Sequence, residues 1–465
     1  MSIIPYLRDF AIGNTKIFRF FKKNLVALKR HGAYAKINTY LWHKKGGKEN
    51  IMAVFQAFRA LRPTAEKAAQ VAALPYDVVS REEAALIGKK NPDSFLHVDR
   101  AEMDLPEKTD LYDDRVYEKA AENLMNMEKN GTLIQDEEPC YYIYELTRKG
   151  KTQTGIAGCC SIDDYMEGTI KRHELTREDK EQDRIRHVDV CDANTGPIFL
   201  ACQYSNSLLE LIDHWKENHC PVYDFVSEDQ IGHRVWVIDE KDVCGTIKKE
   251  FQKIPSLYIA DGHHRAASAV KVGQKRRAEN PGYTGAEEFN YFLSVVFPAD
   301  QLTILSYNRV VKDLNGLTEK AFLGSLKYNF ELMIMPGFPC KPVEKHCMGM
   351  YVGGEWYHLK AWEDIYRDLD IVQQLDVSLL QEKVLNPILG IKDPRTDERI
   401  RFVGGSHKLR ELQEMADETG GVAFAMYPTS MEELMQIADE GRLMPPKSTW
   451  FEPKLRSGLF IHKLT

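Results

Sequence analysis

The chain has 465 residues, 43% hydrophobic and 28% charged, which fits two or three globular domains and excludes a disordered chain. No run of about 18 apolar residues occurs, so no membrane-spanning helix is expected, and the first residues lack the pattern of a secretory signal. Net charge is −7, but residues 1–50 hold eleven Lys/Arg against two Asp/Glu, a net of +9 that leaves −16 on the remainder. An acidic body argues against nucleic acid as a partner, because a duplex must be met by Lys/Arg on the contact face. The nine cysteines are scattered apart from Cys159-Cys160. Adjacent cysteines rarely form an unstrained disulfide, so reduced thiols and a cytoplasmic location are expected.

In chain order, residues 1–51 stand apart. Ile17 to Arg30 has the pattern of a basic amphipathic helix, for a membrane surface or a partner. Against this, Lys44-Lys45-Gly46-Gly47-Lys48 reads as a loose linker, and the segment as a flexible or weakly docked extension. From Met52 the composition becomes that of a folded body. A helix is expected over 65–73, then an extended stretch from Leu74 to Ser80, since Pro75 drives Leu74 away from helical angles. Tyr76-Asp77 either lines a site or only finishes a turn. Ser80 and Glu83 have capping-box spacing for the next helix, and 112–130 is helical in period with Gly131 as its stop. Tyr141–Glu145 and Thr154–Ser161 read as strands joined at Arg148-Lys149-Gly150.

The run from Ile170 to His187 is dense in charge, which by default is a solvated helix face with Thr176 as its N-cap. Arg172-His173-Glu174 resists that default: a cation, an imidazole and a carboxylate ahead of a helix suit proton transfer, with Glu174 as general base. The constellation continues through Asn194-Thr195-Gly196-Pro197. Residues 206–218 are helical, 235–238 a strand, and 241–252 a helix leading into the most informative stretch. There Leu257–Ala260 reads as a buried strand, Asp261-Gly262 as a turn, and His263-His264-Arg265-Ala266-Ala267-Ser268 as a helix start. A strand that turns through glycine into a helix aims unpaired backbone N–H groups at one place, and the helix dipole favours an anion there. The reading is a phosphate cradle; the alternative is a satisfied polar cluster at a buried corner.

Further on, Phe289–Phe297 reads as a central strand, 348–360 as a hairpin around Gly353-Gly354, 369–385 as a helix and Ile400–Val403 as a strand. Cys340, His346 and Cys347 are too few for a zinc site, and Gly404-Gly405-Ser406 lacks the spacing of a Walker loop. Pro445-Pro446-Lys447-Ser448-Thr449 and Lys454 offer donors to an anion, or else Trp450 and Phe451 only pin the C-terminus to the core.

Five motifs in this order, Phe58-Arg59-Ala60-Leu61-Arg62-Pro63, Pro75-Tyr76-Asp77-Val78, Arg172-His173-Glu174, Asp261-Gly262-His263-His264-Arg265 and Pro445 to Thr449, resemble a bacterial family known as domain of unknown function 1015, often labelled ParB-like. The match runs from about Phe55 to the C-terminus. Asp261–Arg265 also resembles the phosphate-binding signature of the wider ParB/sulfiredoxin fold. That fold includes nucleotide-hydrolysing DNA segregation proteins, a peroxiredoxin-repair enzyme and kinases of free L-serine. His263 stands where the repair enzyme has its cysteine, and the −16 body gives no support to a DNA surface.

The resemblance implies a mixed α/β (α+β) fold, with a ParB/sulfiredoxin-like catalytic region over 52–330 and a C-terminal α/β region over 331–465. It also implies a phosphotransferase with an alcohol acceptor, phosphorylating free L-serine at the expense of ATP or ADP with Mg²⁺. Asp261, Gly262, His263, His264, Arg265 and Ser268 would hold the nucleotide, and Asp261 the magnesium. Glu174, His173 and Arg172 would be catalytic; Tyr76, Asp77, Asn194, Lys447, Ser448 and Thr449 would meet the substrate. A homodimer, a non-catalytic nucleotide-binding regulator and a DNA-associated hydrolase stay open.

Overall fold

The computed structural model describes residues 52–465, so the basic segment 1–51 lies outside the described residues. Nine strands form the larger sheet: β1 (Phe55–Gln56), β2 (Tyr141–Arg148), β3 (Lys151–Ser161), β4 (Ile170–Lys171), β5 (Ile198–Cys202), β6 (Tyr223–Val226), β7 (Gly232–Ile238), β8 (Leu257–Asp261) and β9 (Tyr291–Pro298). Their order is β4-β8-β5-β9-β3-β2-β7-β6, with β1 beside β3. The β4–β8 and β5–β9 pairs are parallel and the others antiparallel. The sheet is therefore mixed.

Alternation along these strands fills two separate cores. Tyr142, Ala157, Phe199, Tyr258 and Leu293 face one side, while Tyr141, Ile156, Leu200, Leu257 and Phe292 face the other. The second face is covered by three helices among those labelled here in chain order: α1 (Arg81–Lys90), α2 (Asp114–Lys129), α3 (Glu178–Cys191), α4 (Asn206–Asn218), α5 (Lys241–Phe251) and α6 (His263–Glu279). Leu208, Ile212 and Trp215 of α4, Ile247 and Phe251 of α5, and Ala266, Ala269 and Val270 of α6 supply its apolar side chains. The first face shares a continuous core with an antiparallel six-stranded sheet. That sheet comprises β10 (Tyr307–Val311), β11 (Phe330–Met335), β12 (Cys347–Val352), β13 (Glu355–Ala361), β14 (Ile400–Gly404) and β15 (Val422–Met426), in the order β11-β13-β12-β15-β10-β14. Met348 and Met350 of β12, Leu359 of β13 and Phe424 of β15 face this shared core.

Local signals hold where the local reason is strong. Ser80 and Glu83 form the capping box on α1, Gly131 follows α2 in a left-handed conformation, and the 347–361 hairpin turns at Gly353-Gly354 with φ of 60° and 86°. Where packing decides, they fail. The helix expected over 65–73 is only Ala68–Val71, and 74–80 is a turn closed by Val78 N–H on the Pro75 carbonyl rather than an extended stretch. Thr176 is not the N-cap of α3, which starts at Glu178; its hydroxyl donates to Glu181 instead, at 2.6 Å. The helix expected over 369–385 is confined to Asp376–Leu380 and a π-helical turn over Gln381–Leu385. No helix of the described residues is long and apolar enough to cross a membrane.

The chain's last stretch returns to earlier segments that lie outside the nine-stranded sheet. His462–Lys463 pairs with Ala193–Asn194, Ser457 bridges Ala73, and the Met444 N–H donates to the His173 carbonyl at 2.7 Å. This return carries Lys447 and Lys454 to the corner between β8 and α6.

Candidate active site

That corner begins with a bulge in the β5–β8 pairing between Ile259 and Asp261. Gly262 then takes φ 86° and ψ 31°, a left-handed conformation that costs a side-chain-bearing residue energy, and α6 starts at His263. The first-turn N–H groups of this 17-residue helix have no intrahelical acceptor. Asp261, Gly262, His263, His264 and Arg265 line a cavity of about 100 Å³, and Tyr76, Asp77, Glu174 and Lys447 complete its polar wall. Four distant stretches of chain thus meet at one helix N-terminus. It has room for the charged end of a ligand.

The charges around the cavity fall into two groups. On one side they are paired. Arg265 donates to the fully buried Asp99 at 2.7 Å, and Asp99 also accepts from Thr195 at 2.8 Å. Burial pushes the Asp99 carboxyl up, but the Arg265 guanidinium, with His187 and Arg184, overrides it and holds the group at about 2. Arg265 and Arg184 also lie 5.2 and 4.1 Å from the ring centre of Tyr76, which fixes that wall. Asp261 is paired too: one oxygen accepts from Gly262 N–H at 2.8 Å, the other from Lys454 at 2.7 Å. Burial opposes ionisation of Asp261, yet Lys454 keeps its carboxyl below the ordinary value.

On the other side the groups lack such partners. Burial raises the Glu174 carboxyl above its ordinary range; Lys447 pulls it down, and Asp261 and Asp77 push it up again. Burial also disfavours the Lys447 cation, but Tyr307 and Glu174 outweigh it and raise the ammonium's pKa. The His173 and His263 rings meet edge to face with centres 4.5 Å apart, both buried. Burial lowers His173 to about 4, against an upward pull from Asp261 and the Ile259 carbonyl, and it lowers His263 further, with the His173 ring adding to the effect. His264 Nδ1 is buried without a hydrogen bond, and burial lowers the pKa of that ring too.

Of the residues singled out from sequence, Tyr76, Asp77, Glu174, Asp261–Arg265 and Lys447 line the cavity. His173 stands behind it, with Nε2 at 3.4 Å from the Thr449 hydroxyl. Arg172 is not at the cavity: it is exposed, lies over the Tyr165 ring at 5.8 Å, and borders a separate groove with Lys171 and Lys271. Ser268 points away into the helix layer, its hydroxyl donating to the His264 and Glu181 carbonyls. Asn194 is a structural link whose side-chain oxygen takes the Leu293 N–H and faces His462. Ser448 turns back on the Pro445 carbonyl at 2.6 Å. Asp261 does not suit magnesium, since an ammonium already neutralises its carboxylate at 2.7 Å. Asp99 and Ser457, which hold Arg265, carried no signal in the sequence, being 166 and 192 residues from it.

The chain belongs to the family described as protein of unknown function DUF1015, whose model matches residues 55–378. The Pro445–Thr449 motif falls beyond the matched span, so the match stops short of the C-terminus expected for it. No curated protein matches the chain. Among solved structures it is similar to a free serine kinase in complex with AMP, at 14% identity over 63% of this chain and 86% of that one, with a TM-score of 0.33. It is also similar to a conserved hypothetical protein from Pyrococcus furiosus, at 14% identity, 65% and 93% coverage and a TM-score of 0.31. A third is SbnI with a C-terminal truncation from Staphylococcus aureus, at 13% identity, 65% and 85% coverage and a TM-score of 0.33. Likeness this low leaves the activity to be argued from the chain's own residues.

Proposed function

We propose that the protein is a nucleotide-dependent phosphotransferase that passes a phosphoryl group to the hydroxyl of a small metabolite, free L-serine foremost, within a ParB/sulfiredoxin-like core and a reducing cytoplasm. The observation that carries this reading is the meeting, around one cavity, of the α6 N-terminus and Lys447 with the carboxylates of Glu174 and Asp77. A helix N-terminus and an ammonium suit phosphate oxygens, and a carboxylate suits the hydroxyl that attacks them.

In this reading the N–H groups of His263, His264 and Arg265 and the Lys447 ammonium hold the phosphates. Gly262 N–H is already used by Asp261, so it contributes conformation rather than a donor. Arg265 acts through position: held by Asp99, it fixes the first turn of α6 and one wall of the cavity. Glu174 accepts the hydroxyl proton, because partial burial makes its carboxylate more basic than one in water, and Asp77 is the second carboxylate within the same wall. Magnesium would arrive on the nucleotide rather than on Asp261.

The test is turnover of isotope-labelled ATP and ADP with a panel of hydroxy amino acids. The expected result is labelled phosphoserine from the wild type, and a rate about 100- to 10,000-fold lower in Glu174→Gln. An unchanged rate in Glu174→Gln removes it as the base, and no labelled product with any acceptor defeats the reading.

A further inference from the structure

We propose that His173, Glu174 and His263 form a site for one divalent transition-metal ion, Zn²⁺ foremost, set into the wall of the cavity. Three observations lead to it. The ligand atoms of these side chains lie within 4.8 Å of one another, and among the described residues this is the one set of three such donors close enough to share an ion. His173 Nδ1 and His263 Nε2 are both buried without a well-formed hydrogen bond, although the two rings are 92% or more buried. Glu174 belongs to the cavity lining and so joins the pair of imidazoles to the open space.

Burying an imidazole nitrogen without a partner is costly, and here each of two stacked rings carries one. Edge-to-face stacking at 4.5 Å accounts for the ring packing but satisfies neither nitrogen. A metal ion satisfies both at once. Two imidazoles and one carboxylate are the donor set of an open zinc centre, and imidazole selects the borderline divalent metals over magnesium and calcium. Around a tetrahedral ion, bonds of about 2.0–2.2 Å put neighbouring ligands about 3.3–3.6 Å apart, so donors that lie within 4.8 Å of one another close by up to roughly 1.5 Å when the ion binds. The Thr449 hydroxyl beside His173 Nε2 leaves Nδ1 as the metal-facing nitrogen.

This site goes beyond the phosphotransferase reading and does not depend on it. Where both hold, Glu174 is spent on the ion in the loaded protein, and the proton-accepting role passes to Asp77.

The experiment uses the full-length chain, stripped with a chelator and titrated with Co²⁺ while visible d–d absorption is followed, then with Zn²⁺ in competition. The expected result is one equivalent of Co²⁺ with absorption in the visible, displaced by Zn²⁺. Glu174→Gln and His263→Ala should each weaken binding by at least about a hundredfold, since even outer-shell partners are worth roughly 10–100-fold. His407→Ala, which breaks the exposed His407–Glu411 pair, should leave the titration unchanged. If His263→Ala does not fold, the near-isosteric Glu174→Gln decides alone. No one-equivalent spectrum in the wild type, or an unchanged titration in Glu174→Gln, overturns the site. Because only binding is read, this outcome is separate from any failure of phosphoryl transfer.

Discussion

The nine-stranded sheet mixes parallel and antiparallel pairs and ends β8 in a helix at a glycine, whereas the six-stranded sheet is antiparallel throughout and pairs its 347–361 strands as a simple hairpin. The polar cavity belongs to the first. A parallel pair requires a long crossover, so its strands bring residues far apart in sequence to one edge, and β8 delivers a helix N-terminus there. The six-stranded sheet contributes only by support. The ring centre of Tyr307 of β10 lies 5.6 Å from the Lys447 ammonium, and Arg309 donates to the Lys447 carbonyl at 2.9 Å. Chemistry gathers where distant segments meet; hairpins hold it in place.

The sharpest way to break this comparison is to disturb a buried ionisable group in each region. At the cavity, Arg265→Ala leaves Asp99 ionised and unpaired in the interior. We expect a loss of about 3–5 kcal/mol in urea unfolding, much of it recovered by adding Asp99→Asn. If the single and double variants are equally unstable, the pair is not what holds this wall.

In the other region the expected effect depends on pH. Asp376 is pushed up to about 8 by burial, against the downward pull of a hydrogen bond from the His346 backbone and with Glu433 adding to the rise. The native protein therefore keeps a proton that the unfolded chain releases near 3.8. Stability is fully retained below about pH 4 and falls as pH rises towards 8, by up to about 1.4 kcal/mol per pH unit. Asp376→Asn should flatten that fall, and thermal melts of both proteins across this range will show it. An identical slope in the two would contradict the account.

The smallest effect is expected at Arg172. Because it is exposed and stacked on Tyr165, Arg172→Ala should change stability by less than about 0.5 kcal/mol and leave turnover intact. A lost activity there would extend the working surface beyond the cavity.

Much of the corner was legible in the sequence because its reasons are local. Asp261-Gly262 forces a turn, the alanines after it favour a helix, and an apolar run before it favours a buried strand, all within fifteen residues. Glu174 and Lys447 could be marked as reactive types, but nothing local says that they share a cavity with Asp261. Arg172 and Ser268 show the limit from the other direction. Each lies close in sequence to a residue at the site and chemically fits it, yet Arg172, just past the end of β4, is exposed over Tyr165, and the Ser268 hydroxyl is spent on the His264 and Glu181 carbonyls. The partner that ties down Arg265 is Asp99, at the end of the short helix Leu96–Asp99, and the one that ties down Asp261 is Lys454, in irregular chain; tertiary packing sets the position of both. Spacing along the chain carries no information about them.

The claim on which the functional account rests is that the α6 N-terminus and Lys447 together grip phosphate oxygens. Isothermal titration of ADP and ATP into the wild type and Lys447→Met tests it most directly. We predict binding by the wild type and at least about tenfold weaker binding by the variant, the loss of one charged hydrogen bond. No binding by the wild type, or equal affinity in the two proteins, would contradict it.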